Sequence, residues 1–251
     1  MSTITPIREI EIEFDNGTFD SAAFAAQALQ SWQTLAAVID HTLLKPEATS
    51  QQVENICNEA ARYRFACAMV NPIWASTAVS MLSGTGVPVG VVIGFPLGAS
   101  LVSTLRQEAA ALVKLGAREL DMVIPIGQLK SGNHKAVEHT VRAAAIVAHG
   151  GGALLKVILE TALLTVEEKL RASEIAIQAG ADFIKTSTGF STAGATAADV
   201  ALMRGIAGAR AGVKASGGIR TLADVRTMLE AGANRIGASA SVAIVRELGA
   251  E

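Results

Sequence analysis

Aromatic side chains are scarce in this chain. Only 4% of the 251 residues are Phe, Trp or Tyr, with a single tyrosine, Tyr63, although half are hydrophobic. A core of that size must be built mainly from Ala, Val, Ile and Leu, as buried parallel strands and their covering helices are. Cysteine is also short. Cys57 and Cys67 are too few for a disulfide framework and fall inside apparent secondary structure, which suits a reducing cytoplasm. Neither sign of charge dominates: a formal net charge of −2 gives no electrostatic case for wrapping nucleic acid or an anionic membrane, while leaving local phosphate binding open. No run of about 18 apolar residues could span a bilayer. The first residues are Ser/Thr-rich and then acidic (Glu9, Glu11, Glu13, Asp15), without the basic-then-apolar order of a secretory signal. The expectation is a cytoplasmic protein with no nucleic-acid or membrane partner.

What is present is an alternation. From about residue 35, short apolar runs alternate with longer amphipathic segments, eight times over. The strand expectations are 36–41, 65–70, 88–93, 119–124, 154–159, 182–186, 212–215 and 234–237, each followed by a helix. Helix starts carry a hydroxyl with an amide or carboxylate three residues on, the spacing of a capping box: Thr49/Gln52, Thr104/Gln107, Thr165/Glu168, Thr196/Asp199 and Thr221/Asp224. Gly116, Gly150, Gly180 and Gly232 fall where helices should close. Eight βα units with short connections and no break in composition predict a closed (β/α)8 barrel over residues 35–251. An open dinucleotide-binding sheet would want G-x-G-x-x-G after the first strand, and residues 40–47 contain no glycine. Residues 1–34 stand outside the repeat. There, 8–19 reads as a short strand with an Asn-Gly turn and 19–34 as an Ala-rich helix, an extension that caps the barrel or forms an interface.

Lysine sits where apolar residues are expected. Three of the eight lysines, Lys156, Lys185 and Lys214, interrupt strand segments, and an ammonium is rarely buried without a partner. Catalytic groups of such barrels lie at the carboxyl ends of the strands. Lys185 and Lys214 come near those ends on consecutive strands, so they should face each other. A second ammonium nearby and a low dielectric both disfavour protonation of the first, which would leave a neutral amine fit for a Schiff base. The same spacing equally fits two lysines that only bind phosphate or pair with carboxylates. Asp121 lies inside strand four, Asp40 ends strand one, and Glu160 ends strand five beside Lys156; for Lys156 and Glu160 ion pairing and site shaping are expected ahead of direct chemistry. A phosphate cradle is expected from Ser216-Gly217-Gly218 after strand seven and Gly237-Ala238-Ser239 leading into the last helix, with Thr188-Gly189 adding to it.

These segments resemble one family. Ile39 to Lys45, Asp121 to Ile124, Lys156 to Thr161, Phe183 to Phe190 and Val213 to Arg220 are similar, in order, to the motifs of the deoxyribose-phosphate aldolases. The Phe-Ile-Lys-Thr-Ser-Thr-Gly-Phe match is the most specific of them. The resemblance implies a metal-independent class I aldolase with no cofactor, in which Lys185 forms the Schiff base, Lys214 lowers its pKa and Asp121 relays protons. It places Asp40, Cys67 and Lys156 in the substrate pocket, although Cys67 is also the kind of small apolar residue a core buries. It implies a small phosphosugar and acetaldehyde as partners, and a homodimer. Two departures stand out: some relatives use a C-terminal tyrosine, where this chain reads Leu-Gly-Ala-Glu, and a serine often found after the last strand is Ala240. A phosphosugar isomerase or epimerase would leave Lys185 and Lys214 unexplained, and a non-catalytic binding protein would have no use for both lysines and Asp121.

Overall fold

Eight parallel strands close on themselves in the computed structural model, which describes residues 14, 15 and 18–251. They are β1 (Ile39–Leu43), β2 (Cys67–Val70), β3 (Val89–Ile93), β4 (Glu119–Val123), β5 (Leu154–Ile158), β6 (Phe183–Lys185), β7 (Gly212–Ser216) and β8 (Arg235–Ala238). Each pairs with the next, and β8 pairs with β1. Each strand is followed by a helix: α1 (Ser50–Tyr63), α2 (Ala75–Leu82), α3 (Val102–Leu115), α4 (His134–Gly150), α5 (Val166–Gln178), α6 (Ala197–Ala207), α7 (Leu222–Glu230) and α8 (Ser241–Arg246). This is the (β/α)8 barrel that the alternation predicts.

The two-residue period of a strand sorts the sequence into two environments. Leu120, Met122, Leu155, Val157, Ile184, Val213 and Ile236 point outward and join Val53, Ile56, Leu105, Leu112 and Val141 of the helices in one apolar shell. Each such side chain contributes roughly 2 kcal/mol on burial, and a shell of this extent can offset an ionised interior. The alternate positions face in. Part of the interior is a small separate apolar cluster of Leu44, Cys67, Met69 and Val92 with Phe95 against it. Gly90 makes room for that cluster, since a Cβ there would lie 2.1 Å from Met69 Sδ and 2.6 Å from Cys67 Sγ. Lower down, the Phe183 ring lies over Gly212, where a Cβ would come within 2.2 Å of it.

The helix ends follow the expected chemistry with instructive exceptions. Thr49, Thr165 and Thr221 close full capping boxes, and Thr196 accepts from the Asp199 N–H. Thr104 does not cap: α3 starts two residues earlier, after Leu101, because the chain leaving β3 turns early at Gly94–Ser100. Gly116 terminates α3 at φ 112°, whereas Gly150 is still helical and Gly151 is the cap of α4. A short helix, Ile126–Lys130, intervenes between β4 and α4.

Before the barrel, Phe14–Asp15 pair antiparallel with Thr18–Phe19. The expected Asn16-Gly17 turn lies outside the described residues. The single helix expected over 19–34 is two, Ser21–Ala28 and Trp32–Ala36. Ser31 splits them by adopting an extended backbone and forming a capping box with Thr34. The first packs on α7 and the second on α8. Phe19 lies over the guanidinium of buried Arg204, 4.1 Å from ring centre to Cζ. No helix among the described residues is long and apolar enough to cross a membrane.

Candidate active site

The strand register aligns the charges. Lys185 on β6 is level with Lys214 on β7, which is level with Arg235 on β8, and Asp121 on β4 is level with Lys156 on β5. Register partners on adjacent strands share a face, so all five point into the barrel, joined by Asp40 from β1 and by Glu119, two residues before Asp121.

Asp121 is the hub. Its Oδ2 accepts from Lys185 Nζ at 2.8 Å and from Lys214 Nζ at 2.8 Å, and its Oδ1 accepts from Lys156 Nζ at 2.9 Å. Lys214 also bonds to Asp40 Oδ2. Lys156 pairs with Glu119 and approaches Asp40 Oδ2 at 3.5 Å. Arg235 closes the network from below, giving its Nε to Asp40 and its Nη2 to both oxygens of Glu119 at 2.7 and 3.0 Å. All seven side chains are buried, and Lys185, at the carboxyl end of β6, has only 3% exposure. They form four basic groups against three carboxylates.

Burial and neighbours then set protonation. Burial pulls the Lys185 amine down, the Asp121 charge opposes this, and the cations Lys214 and Lys156 add to the depression, leaving it at about 8. Desolvation works against ionised Asp121, but Lys156, Lys185 and Lys214 together hold its carboxyl well below the usual range. Asp40 goes the same way: burial is overridden by Arg235, Lys156 and Lys214. Lys156 is the reverse case, because Asp121, Asp40 and Glu119 overcome its burial and keep it protonated. Burial, with Glu119 and Asp40 nearby, pushes the Cys67 thiol well up, so it is neutral. Asp40, Cys67 and Glu119 are the one group of possible metal-ligand atoms close together among the described residues. Both carboxylates in it are already bonded to cations of the network.

Three expectations change here. Asp40 does not end its strand: β1 runs from 39 to 43 rather than 36 to 41, so the carboxylate lies deep inside the barrel. Lys156 and Glu160 are not an ion pair. The left-handed backbone at Glu160, φ 58°, sends them apart, Lys156 to three carboxylates inward and Glu160 to the backbone N–H and hydroxyl of Thr188. Ser239 is exposed and precedes α8 by two residues, since that helix starts only at Ser241. Two members of the network, Glu119 and Arg235, are absent from the sequence reading. The signal was their parity: each is a charge at an inward position of an apolar strand.

Above the lysines the loops after β6 and β7 are fastened together. Thr186 Oγ1 donates to Ser216 O and accepts from Ser216 N, and Ser216 Oγ donates to Ser187 O. Ala195 N reaches the carbonyls of Ser216 and Gly217. Gly217 and Gly218 are both left-handed, at φ 85° and 81°, a backbone that side chains other than glycine adopt at a cost. Gly189 on the facing loop is exposed, and Gly237 is buried where a Cβ would lie 3.1 Å from Lys214 Cε. Glu160, itself left-handed at φ 58°, clamps Thr188, whose hydroxyl accepts from Phe190 N. Phe190 and Phe95 meet edge-to-face at 5.3 Å across the barrel mouth. A surface cleft of about 400 Å³ lined by Trp32, Arg62, Tyr63, Gly249 and Glu251 lies at the other end of the barrel and contains none of the seven charged residues.

Comparison with known proteins agrees with this geometry. The profile of the DeoC/LacD family aldolase matches residues 34–247. The chain belongs to the DeoC/LacD aldolase family. The aldolase is 55% identical over 212 residues to a deoxyribose-phosphate aldolase of Listeria monocytogenes, an alignment covering 84% of this chain and 95% of that one. It is 53% identical over 216 residues to the enzyme of the same name from Lysinibacillus sphaericus, covering 86% and 96%. In three dimensions the aldolase superposes with a TM-score of 0.83 and 36% identity on the deoxyribose phosphate aldolase of Aeropyrum pernix, described as a tetramer, over 91% of this chain and 98% of that one.

Proposed function

We propose that this aldolase reversibly cleaves 2-deoxy-D-ribose 5-phosphate to D-glyceraldehyde 3-phosphate and acetaldehyde through a Schiff base on Lys185. The observation that carries the reading is a single amine at the end of β6, depressed to about 8 and bonded to a carboxylate that two further lysines hold ionised. About one-tenth of such an amine is neutral at pH 7, against well under a thousandth of an ordinary lysine.

In the cleavage direction the neutral Nζ attacks C1 of the open-chain sugar. The carbinolamine loses its hydroxyl as water, giving an iminium. Loss of the C3 hydroxyl proton breaks the C2–C3 bond, whose electron pair moves into the iminium to form an enamine, and the phosphorylated aldehyde leaves. Protonation of the enamine carbon and addition of water then release acetaldehyde and the amine. Asp121 is too acidic to store a proton at neutral pH, but it touches both Lys185 and Lys214 and can pass one between the reacting nitrogen, Lys214 and water. The phosphate falls to the loop backbone at Gly189, Gly217, Gly218 and Gly237, with Ser239 beside it. Asp40, Lys156 and Cys67 serve from beneath, as the buried floor of the pocket. Ala240 in place of a serine costs this cradle one hydrogen bond, about 1 kcal/mol. The same reading puts the enzyme in the cytoplasm, as a dimer, and makes residues 35–251 the catalytic unit with 1–34 as its extension.

Incubation with acetaldehyde followed by borohydride reduction tests it: the ethyl adduct is expected on Lys185. An adduct elsewhere, or phosphosugar binding with no adduct, overturns the assignment.

A further inference from the structure

The buried network contains one cation more than its carboxylates need. Lys156, Lys185, Lys214 and Arg235 face Asp40, Glu119 and Asp121, and Cys67 beside them is a neutral thiol. We propose that Arg235 is a positioning residue for the aldol reaction: by engaging Asp40 and Glu119 it makes the network electrically balanced when, and only when, the Lys185 amine carries no proton. The proposal rests on Lys185 being the Schiff-base residue.

The geometry explains how a residue that does not touch Lys185 sets its charge. Lys185 is faced by Asp121 from β4, Lys156 from β5 and Lys214 from β7. Lys156 and Lys214 share the carboxylates that Arg235 also holds: Glu119 lies between Lys156 and Arg235, and Asp40 between Lys214, Lys156 and Arg235. With Arg235 in place, those two carboxylates are largely answered from below, and the two lysines keep enough positive field at Lys185 to repel a proton. Without it, three cations would face three carboxylates only if Lys185 were protonated. Interaction between charges in a buried site is strong enough to bias Lys185 toward that balance. Arginine suits the position because it stays charged at any pH the reaction uses and its fork reaches two carboxylates at once, donating twice to Glu119. On its other side the guanidinium meets an apolar neighbour, Phe183 of β6, whose ring centre is 6.0 Å from Cζ.

The test follows the pH at which the acetaldehyde adduct on Lys185 forms at half its maximal rate. Arg235→Gln should move that midpoint up by about one unit, a roughly ten-fold slower trapping at pH 7. Glu119→Gln removes a carboxylate instead and should move it down. The double variant Arg235→Gln/Glu119→Gln restores the balance and should return close to the parent, and Arg235→Lys should largely rescue the single change. A midpoint unmoved in Arg235→Gln, or a rate reduced equally at every pH as from a loosened fold, overturns the proposal. So does a double variant that keeps the shift of either single one. Should Arg235→Gln fail to fold, Glu119→Gln decides alone: an unchanged or raised midpoint overturns it. If the parent protein gives no adduct at Lys185, the Schiff-base assignment falls and this inference with it. An adduct in the parent with coincident midpoints in the variants removes this inference only.

Discussion

One carboxylate, Asp121, is bonded to three lysines, and two of them, Lys156 and Lys185, are driven in opposite directions. Lys156 has three acidic neighbours and is held charged, whereas Lys185 has one and is depressed to about 8. The difference is a matter of how many carboxylates each amine reaches, not of burial, which both share. Trapping of acetaldehyde should therefore accelerate with pH and level off above about 8, which a rate profile between pH 6 and 10 would reveal. Lys214→Leu deletes a cation beside Lys185, so its proton is held to higher pH and the profile should move upward; an unmoved profile would remove Lys214 from that role. Lys156, Lys185, Lys214 and Asp121 were legible in the sequence because a charge inside an apolar run needs a reason. Glu119 and Arg235 carry the same mark, yet they sit at strand beginnings, where a charge is easily taken for the solvated end of a loop. Only parity with Asp121 and register with Lys214 show that they turn inward.

At the scale of elements, the loops after β6 and β7 behave as one piece. Gly194 lies flat on Gly217: a Cβ at 194 would be 2.1 Å from the Gly217 carbonyl oxygen. Gly194→Ala should thus displace the double-glycine turn, raising KM for the phosphorylated sugar several-fold while acetaldehyde trapping at Lys185 is unchanged, since acetaldehyde has no phosphate. Glu160→Gln should act in the same direction by weakening the clamp on Thr188, and equal loss with both substrates would contradict a role confined to the loops. Element order and most helix starts could be read from the sequence, because a threonine followed by a partner three residues on satisfies orphan N–H groups locally. Thr104 misled because the same spacing also occurs inside a helix. Gly150 misled because three consecutive glycines, Gly150 to Gly152, leave the stop to whichever one the strand that follows selects. Ser31 broke a helix that composition alone would have continued.

For the whole molecule, the site is a load on stability. Lys185 holds its proton more weakly folded than unfolded, its value falling from 10.5 to about 8. Below about pH 8 the folded state therefore bears the full cost, about 3 kcal/mol, and the cost fades as pH rises toward 10.5, where the unfolded chain also loses the proton. Lys185→Met should consequently be more stable than the parent at pH 7, with a Tm several degrees higher. The gap should close by about pH 10; a variant no more stable at pH 7 would show that the amine is not held at a disadvantage.

The level row formed by Lys185, Lys214 and Arg235 also bears on how the chain avoids wrong barrels. Strand pairing shifted by one residue turns every side chain to the opposite face. A slipped β7 would drive Lys214 into the greasy seam beneath the helices and strand Asp40 and Asp121 without it, a penalty of several kcal/mol that an aliphatic barrel would never exact. Replacing the interior ions with apolar residues should then yield a sturdier protein that refolds through off-register species, and a clean single-phase refolding of such a variant would show that the charges play no part in choosing the alignment.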